Sequence, residues 1–340
     1  MTGRSRAPVP ARAVPDHPPL LFAPAASRLC GEAVALALGI ALAEHEERVF
    51  EDGEHKLRPA ASVRERDVYV LHSLHAEPGQ SIDDKLVRLL FFIGALKDAA
   101  ARRVTAVVPY LAYSRKDRKT KPRDPVTTRY VAQLFEAVGA DCVVTLDVHN
   151  LAAFQNAFRC RTEHLEAAPL FVSRLAPRLA DEPIAVVSPD AGGIKRADAF
   201  RQRLSAALGR PLSTGFVEKY RGSGALSGEA LAGDVEGKLA IVVDDLIAAG
   251  NTVARAASAC RHAGAKRVIA VATHGVFAAE ADRVLGAAAI DEIFVTDSIP
   301  PLGLGSPAVR ERLRVVSAVP LLAEAIRRLH LGESLGELSA

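Results

Sequence analysis

The sequence predicts an α/β protein built from two similar domains, each a mainly parallel sheet covered by helices. Three observations carry this expectation. Short apolar runs recur along the chain, among them DVYVLHSL (67–74), RVTAVVPYL (103–111), DCVVTLDVH (141–149), IAVVSPD (184–190), LAIVVDD (239–245), KRVIAVATHG (266–275) and IDEIFVTDS (290–298). Runs without strict alternation read as strands buried on both faces. Helical segments separate them, and the order strand, helix, strand repeats in the two halves, which is the grammar of parallel sheets.

Residues 1–18 are basic and proline-rich with no apolar secretory core, so they read as a disordered extension. An ordered first domain is expected over 19–160, a second over 161–320, and a helix with a tail over 321–340. In the first domain the helix after Asp67–Leu74 starts at Ser81, with Asp84 three residues on in a capping-box pattern. It carries Leu86, Leu89, Leu90, Ile93 and Leu96 at helical spacing. TTRYVAQLFEAVG (127–139) supplies the next helix, and AEADRVLGAAA (279–289) separates the last two strands.

The composition limits the function classes. The chain has 340 residues, 49% of them hydrophobic, enough for a large core. Its net charge of +3 from 43 basic and 40 acidic side chains gives no argument for nucleic acid. Its richest apolar stretch, Leu86 to Leu96, is interrupted by Arg88 and Gly94, so no membrane span is expected. The four cysteines show no C-x-x-C spacing and fit reduced thiols in a cytoplasmic protein.

Ligands of parallel sheets bind where strands end, so the informative segments lie there. LAIVVDDLIAAGNTVARAA (239–257) has an apolar strand ending in Asp244 and Asp245, then the small-residue loop Ala248, Ala249, Gly250, Asn251 and Thr252 opening a helix. Free N–H groups at that helix start suit a phosphate, and the acidic pair suits sugar hydroxyls or magnesium. A P-loop is excluded because its lysine is missing, and no dinucleotide glycine fingerprint occurs.

Five further segments each have a plain structural explanation beside a functional one. FEDGEHKLRP (50–59) reads as a surface hairpin with an Asp-Gly turn. PYLAYSRKDRKTKPRDP (109–125) places six cations after a strand, which suits a polyphosphate as well as a solvated loop. His149 in TLDVHN is a ligand or a packed side chain, and Asp190 before Gly192 and Gly193 is functional or simply part of a tight turn. FVEKYRGSGALSGEALAGDVEGK (216–238) reads as a flexible loop whose Lys219 and Arg221 could close over a substrate.

Together, the segments F-x-D-G-E, Y-x-R-x-D-R, D-x-H, S-P-D-x-G-G, K-x-R and the D-D loop stand in one order from about Leu21 to the EAIRRLHLGESLGEL end. In that order the chain resembles the ribose-phosphate diphosphokinases. The resemblance implies two domains of phosphoribosyltransferase type with the active site between them. It implies ATP and ribose 5-phosphate as substrates, magnesium or manganese as the metal, and a homo-oligomer whose ATP site lies near a subunit interface. Phe50, Asp52, Glu54, Arg115, Asp117 and Arg118 then fall at the ATP site. Asp244, Asp245 and Ala248 to Thr252 match the ribose 5-phosphate site, His149 and Asp190 match the metal positions, and Lys219 and Arg221 match the catalytic pair.

The sugar-phosphate loop departs from the usual D-D-x-x-D-T-G-G-T. Ala248 and Ala249 replace an acid and a hydroxyl, and Asn251 replaces a glycine. The leading expectation is the diphosphokinase. A catalytically weak or silent regulatory homologue and a phosphoribosyltransferase are the alternatives.

Overall fold

Residues 17–221 and 227–339 are described in the computed structural model, with the side chains of 219–221, 227–229 and 339 outside that description. Residues 1–16, most of the expected extension, therefore lie outside the described residues.

The first half runs β1 (Leu20–Phe22), α1 (Arg28–Leu38), β2 (His45–Val49), β3 (His55–Pro59), β4 (Asp67–Leu71), α2 (Ile82–Asp98), β5 (Arg103–Val108), α3 (Thr127–Ala137), β6 (Cys142–Leu146), α4 (Leu151–Ala157) and β7 (Arg161–Leu165). Its five-stranded sheet has the order β1-β4-β5-β6-β7 and is parallel throughout, while β2 and β3 form a separate antiparallel hairpin. The capping box expected at Ser81 is present: its hydroxyl accepts from the Asp84 N–H at 3.0 Å and the Asp84 carboxylate accepts from the Ser81 N–H at 2.8 Å.

The second half runs α5 (Ala168–Leu175), β8 (Ile184–Ser188), α6 (Ile194–Leu208), β9 (Ser213–Arg221), β10 (Ser227–Gly233), β11 (Leu239–Ile247), α7 (Asn251–His262), β12 (Arg267–Gly275), α8 (Ala281–Ala287), β13 (Glu292–Thr296), α9 (Pro307–Arg312), β14 (Leu313–Val316) and α10 (Val319–Leu331). The seven strands are ordered β10-β9-β8-β11-β12-β13-β14, all parallel except the β9–β10 pair.

Alternation within the strands divides the interior into three cores. Tyr69 and Leu71 of β4, Val144 and Leu146 of β6, Val186 of β8, and Ile241 and Val243 of β11 all point into one central core shared by the two sheets, where α10 also packs. The intervening residues Val68, Val70 and Val143 face the outer helices of the first half, and Val187, Ala240 and Val242 face those of the second. A strand whose odd and even residues are both buried reads as a continuous apolar run, which is why these strands are conspicuous in the sequence.

Two expectations need correction. The sheet of the first half extends past residue 160, because β7 pairs with β6 in register Cys142↔Arg161 to Leu146↔Leu165. The segment 216–238, read as a flexible loop, contains most of an antiparallel hairpin, with Lys219 opposite Glu229 and Arg221 opposite Ser227 in the backbone register. Its small residues serve packing. Gly233 sits at φ 130°, where a Cβ would stand 2.4 Å from the Thr214 carbonyl. Among the described residues no helix is long and apolar enough to cross a membrane.

Candidate active site

The carboxyl ends of β6 and β11 face each other, and the loops leaving β5, β6, β8 and β11 enclose a cleft of about 1190 Å³. One bank comes from the first half. After β5 the chain turns through Tyr113, held at φ 62° by its hydroxyl on Asp83 and by the Thr128 hydroxyl donating to its carbonyl at 3.0 Å. That turn delivers Arg115, Asp117 and Arg118 to the cleft wall. Lys116 is used locally, 2.5 Å from Asp124. Asp117 accepts from the Asn150 amide at 2.5 Å, and Asn150 caps α4 by accepting from the Ala153 N–H at 3.1 Å, so the loops after β5 and β6 are fixed to one another.

The other bank is the loop after β11. Asp244 and Asp245 end its buried portion, and Gly250 makes the turn into α7 at φ 85°, where a Cβ would come within 2.8 Å of Leu285. No side chain caps α7. Its first N–H groups, at Asn251, Thr252 and Val253, therefore have no intrahelical partner, and these residues line the cleft. A helix start of this kind, positive through its dipole, is a ready seat for a phosphate.

The two banks join through charged contacts. His149 donates from Nδ1 to Asp245 Oδ2 at 2.9 Å, and Arg196 at the start of α6 reaches Asp245 at 3.1 Å, Asp244 at 3.5 Å and the His149 carbonyl at 3.3 Å. Burial pushes against the charge of Asp245, yet the His149 hydrogen bond and Arg196 hold its carboxyl well below the usual carboxylate range. Burial and the adjacent Asp245 charge push Asp244 up to about 7. The hydrogen bond to Asp245 raises His149 above the ordinary histidine value.

Beneath them, Asp147 at φ 38° accepts from the Thr273 hydroxyl at 2.6 Å and the Ala167 N–H at 2.9 Å. Buried His274 donates from Nε2 to the Leu146 carbonyl at 2.9 Å, so its Nδ1 accepts from the Ser298 hydroxyl at 2.8 Å. Burial lowers His274, which keeps it neutral in this role.

The chain is similar along most of its length to known proteins. Residues 20–139 match the profile of the N-terminal domain of ribose phosphate pyrophosphokinase, and residues 228–339 match the phosphoribosyl synthetase-associated domain. The chain is 38% identical to a ribose-phosphate pyrophosphokinase of Caldanaerobacter subterraneus, over 90% of this chain and 92% of the relative. It is 40% identical to that of Rhodopirellula baltica, over 85% and 88%. The crystal structure of phosphoribosylpyrophosphate synthetase from Mycobacterium smegmatis superposes with a TM-score of 0.81 at 35% identity, covering 92% of this chain and 98% of that one. The chain belongs to the ribose-phosphate pyrophosphokinase family.

As a member of this family it is an enzyme of two phosphoribosyltransferase-type α/β halves. Of the residues singled out by sequence, the cleft gathers Arg115, Asp117, Arg118, His149, Asp190, Asp244, Asp245 and Ala248 to Thr252. Phe50, Asp52 and Glu54 are elsewhere, at the tip of the β2–β3 hairpin. There Asp52 accepts from the Glu54 N–H at 3.0 Å and the Arg48 guanidinium lies 4.6 Å from the Phe50 ring centroid. The side chains of Lys219 and Arg221 lie outside the described residues. Asp190 uses Oδ1 to cap the turn before α6, accepting from Gly192 at 2.9 Å and Gly193 at 3.1 Å. Among the described residues, no three or more His, Cys, Asp or Glu side chains are gathered as a ready metal cage.

The sequence reading missed Arg196, Asn150, Asp147, Thr273 and His274. Arg196 carried a usable signal, since a cation in the first turn of a helix opposes the helix dipole and so implies a partner elsewhere.

Proposed function

We propose that this enzyme transfers the β,γ-diphosphoryl group of ATP to the anomeric hydroxyl of ribose 5-phosphate in the cleft between its two sheets. The products are 5-phosphoribosyl 1-diphosphate, AMP and the hydroxyl proton. The observation that carries this reading is the facing of two unlike banks: arginines after β5, and an acidic pair with an uncapped helix start after β11.

In this reading the N–H groups at the start of α7 hold the 5-phosphate, and Asp244 and Asp245 accept from the ribose hydroxyls. The sugar is thereby presented with its anomeric oxygen toward the cleft. Arg115 and Arg118 bind the polyphosphate of ATP, and Asp117, fixed by Asn150, orders their loop. Phosphoryl transfer of this type requires alignment and charge neutralisation more than covalent help. Lys219 and Arg221, on β9 beside the cleft strands, offset charge growing on the transferred group and leaving oxygen.

The donor set fits magnesium, or manganese in its place. Two adjacent carboxylates line the cleft, and this ion usually takes one or two carboxylates plus substrate phosphates. Asp244 and Asp245 would hold it together with substrate phosphates, while His149 and Asp190, which line the same cleft, are the metal positions that the family resemblance implies. When bound it neutralises phosphate charge.

Half-buried Phe50 and exposed Asp52 and Glu54, on their hairpin, serve the ATP site of a neighbouring copy in a homo-oligomer. Four free cysteines and the absence of any membrane-length helix among the described residues support a cytoplasmic setting. The test is to incubate the protein with ATP, magnesium and ribose 5-phosphate and to measure AMP and phosphoribosyl diphosphate together. Equal yields of the two are expected, and ATP binding without either product would favour the silent homologue instead.

A further inference from the structure

Arg196 stands at the positive end of α6, where a cation is disfavoured, so its position is owed to the groups it reaches. Those groups all belong to the cleft: Asp245 Oδ1 at 3.1 Å, Asp244 Oδ1 at 3.5 Å, and the His149 carbonyl at 3.3 Å. It is therefore seated on the acidic pair that the proposed reaction needs for ribose hydroxyls and for a divalent cation.

Two adjacent, largely buried carboxylates without a countercharge would be costly, which explains why a cation is built in. The contacts are nonetheless poor ones. Arginine and carboxylate make short, paired bonds of roughly 2.7–2.9 Å when the pair is permanent. Arg103 on Asp67 shows that form in this chain, gripping both carboxylate oxygens through Nε and Nη2. Arg196 makes one moderate contact and two long ones, shared among three acceptors.

We propose that Arg196 is a placeholder cation, occupying Asp244 and Asp245 in the unliganded enzyme and giving them up when a divalent cation and the sugar arrive. This inference rests on the reading of the acidic pair as the sugar and metal site. It gives Arg196 a positioning role: the pair stays paired and folded while empty, and its affinity for a metal without substrate is held down.

The test is Mn²⁺ binding to the enzyme without nucleotide or sugar, read from the electron paramagnetic resonance signal of free Mn²⁺. Removing a competing cation a few ångströms from the ion should tighten binding ~10-fold in both Arg196→Ala and the size-preserving Arg196→Gln. Arg196→Lys, which keeps the charge, should stay within a few-fold of wild type by the same electrostatics. A merely structural arginine would leave Mn²⁺ affinity unchanged or weaker when removed, and that result in both variants overturns the proposal. Asp245→Asn should lose Mn²⁺ binding. Its retention would overturn the metal reading of the pair, and the placeholder with it, whatever the product assay shows.

Discussion

His149, at the end of a strand of the first sheet, donates to Asp245, at the end of a strand of the second, across 2.9 Å. The bond is both a domain contact and an electrostatic setting. It keeps Asp245 ionised despite burial, and the retained charge in turn raises the neighbouring Asp244. In the unliganded chain the acidic pair thus has one member held ionised and the other raised, a condition set by burial, by their adjacency and by contacts from both halves of the chain.

Asp244 gives the first prediction. Its carboxyl titrates at about 7 in the folded chain and near 4 when unfolded. A group raised by folding contributes its full stability below the unfolded value and loses it as pH rises through the folded one. Asp244 therefore weakens the unliganded fold progressively between those values. Asp244→Asn should be more stable than wild type by ~1–2 kcal/mol at about pH 8, with the gain shrinking toward zero near pH 4. Thermal unfolding at the two pH values measures this, and an equal shift at both would show that ionisation is not the cause. Activity should be lost at either pH, a stability gain at the expense of function.

The architecture was legible where physics leaves a local trace. Strands such as Cys142–Leu146 and Ile184–Ser188 are covered on both faces and so show as apolar runs, and Ser81 with Asp84 marks a helix start in four residues. The pairing of β9 with β10 was illegible because five glycines and three serines interrupt the sequence 213–233 and the order of β9 comes from its pairing with β8. Arg196 could not be assigned from its neighbours, since Asp244 is 48 positions away. The Asp-Gly turn at 52–53 was readable as a turn, but a single chain gives Phe50 no partner in the cleft.

Complementation between subunits tests that last point. If Phe50 of one copy completes the cleft of another, Phe50→Ala and Asp245→Asn chains, each inactive, should rescue one another when co-assembled. Random mixing gives one site in about four both a sound cleft and a sound hairpin, so roughly a quarter of wild-type activity is expected. Zero recovery from demonstrably mixed oligomers would place Phe50 in the cleft of its own chain or outside the reaction.

Lys219 is expected to act on the transition state and not on substrate binding. Lys219→Ala should lower kcat by several orders of magnitude while the affinity for ATP changes little, the signature of an interaction made only as charge develops. Single-turnover kinetics beside equilibrium nucleotide binding separates the two. A near-normal kcat would remove Lys219 from the chemistry.

Gly250 ties fold and site at one position. Its φ of 85° strains any residue with a side chain, and an added Cβ would meet Leu285 at 2.8 Å. Gly250→Ala must therefore pay for a left-handed backbone and for movement of a core leucine, together ~2–3 kcal/mol. Relaxation by rotating the turn would also swing the first N–H groups of α7 away from the cleft. Denaturant unfolding should show the loss of stability, and calorimetry should show ribose 5-phosphate binding weakened beyond ATP binding, because only the sugar phosphate is assigned to that helix start. Equal weakening of both ligands would mean that the turn supports the whole cleft and that the 5-phosphate seat lies elsewhere.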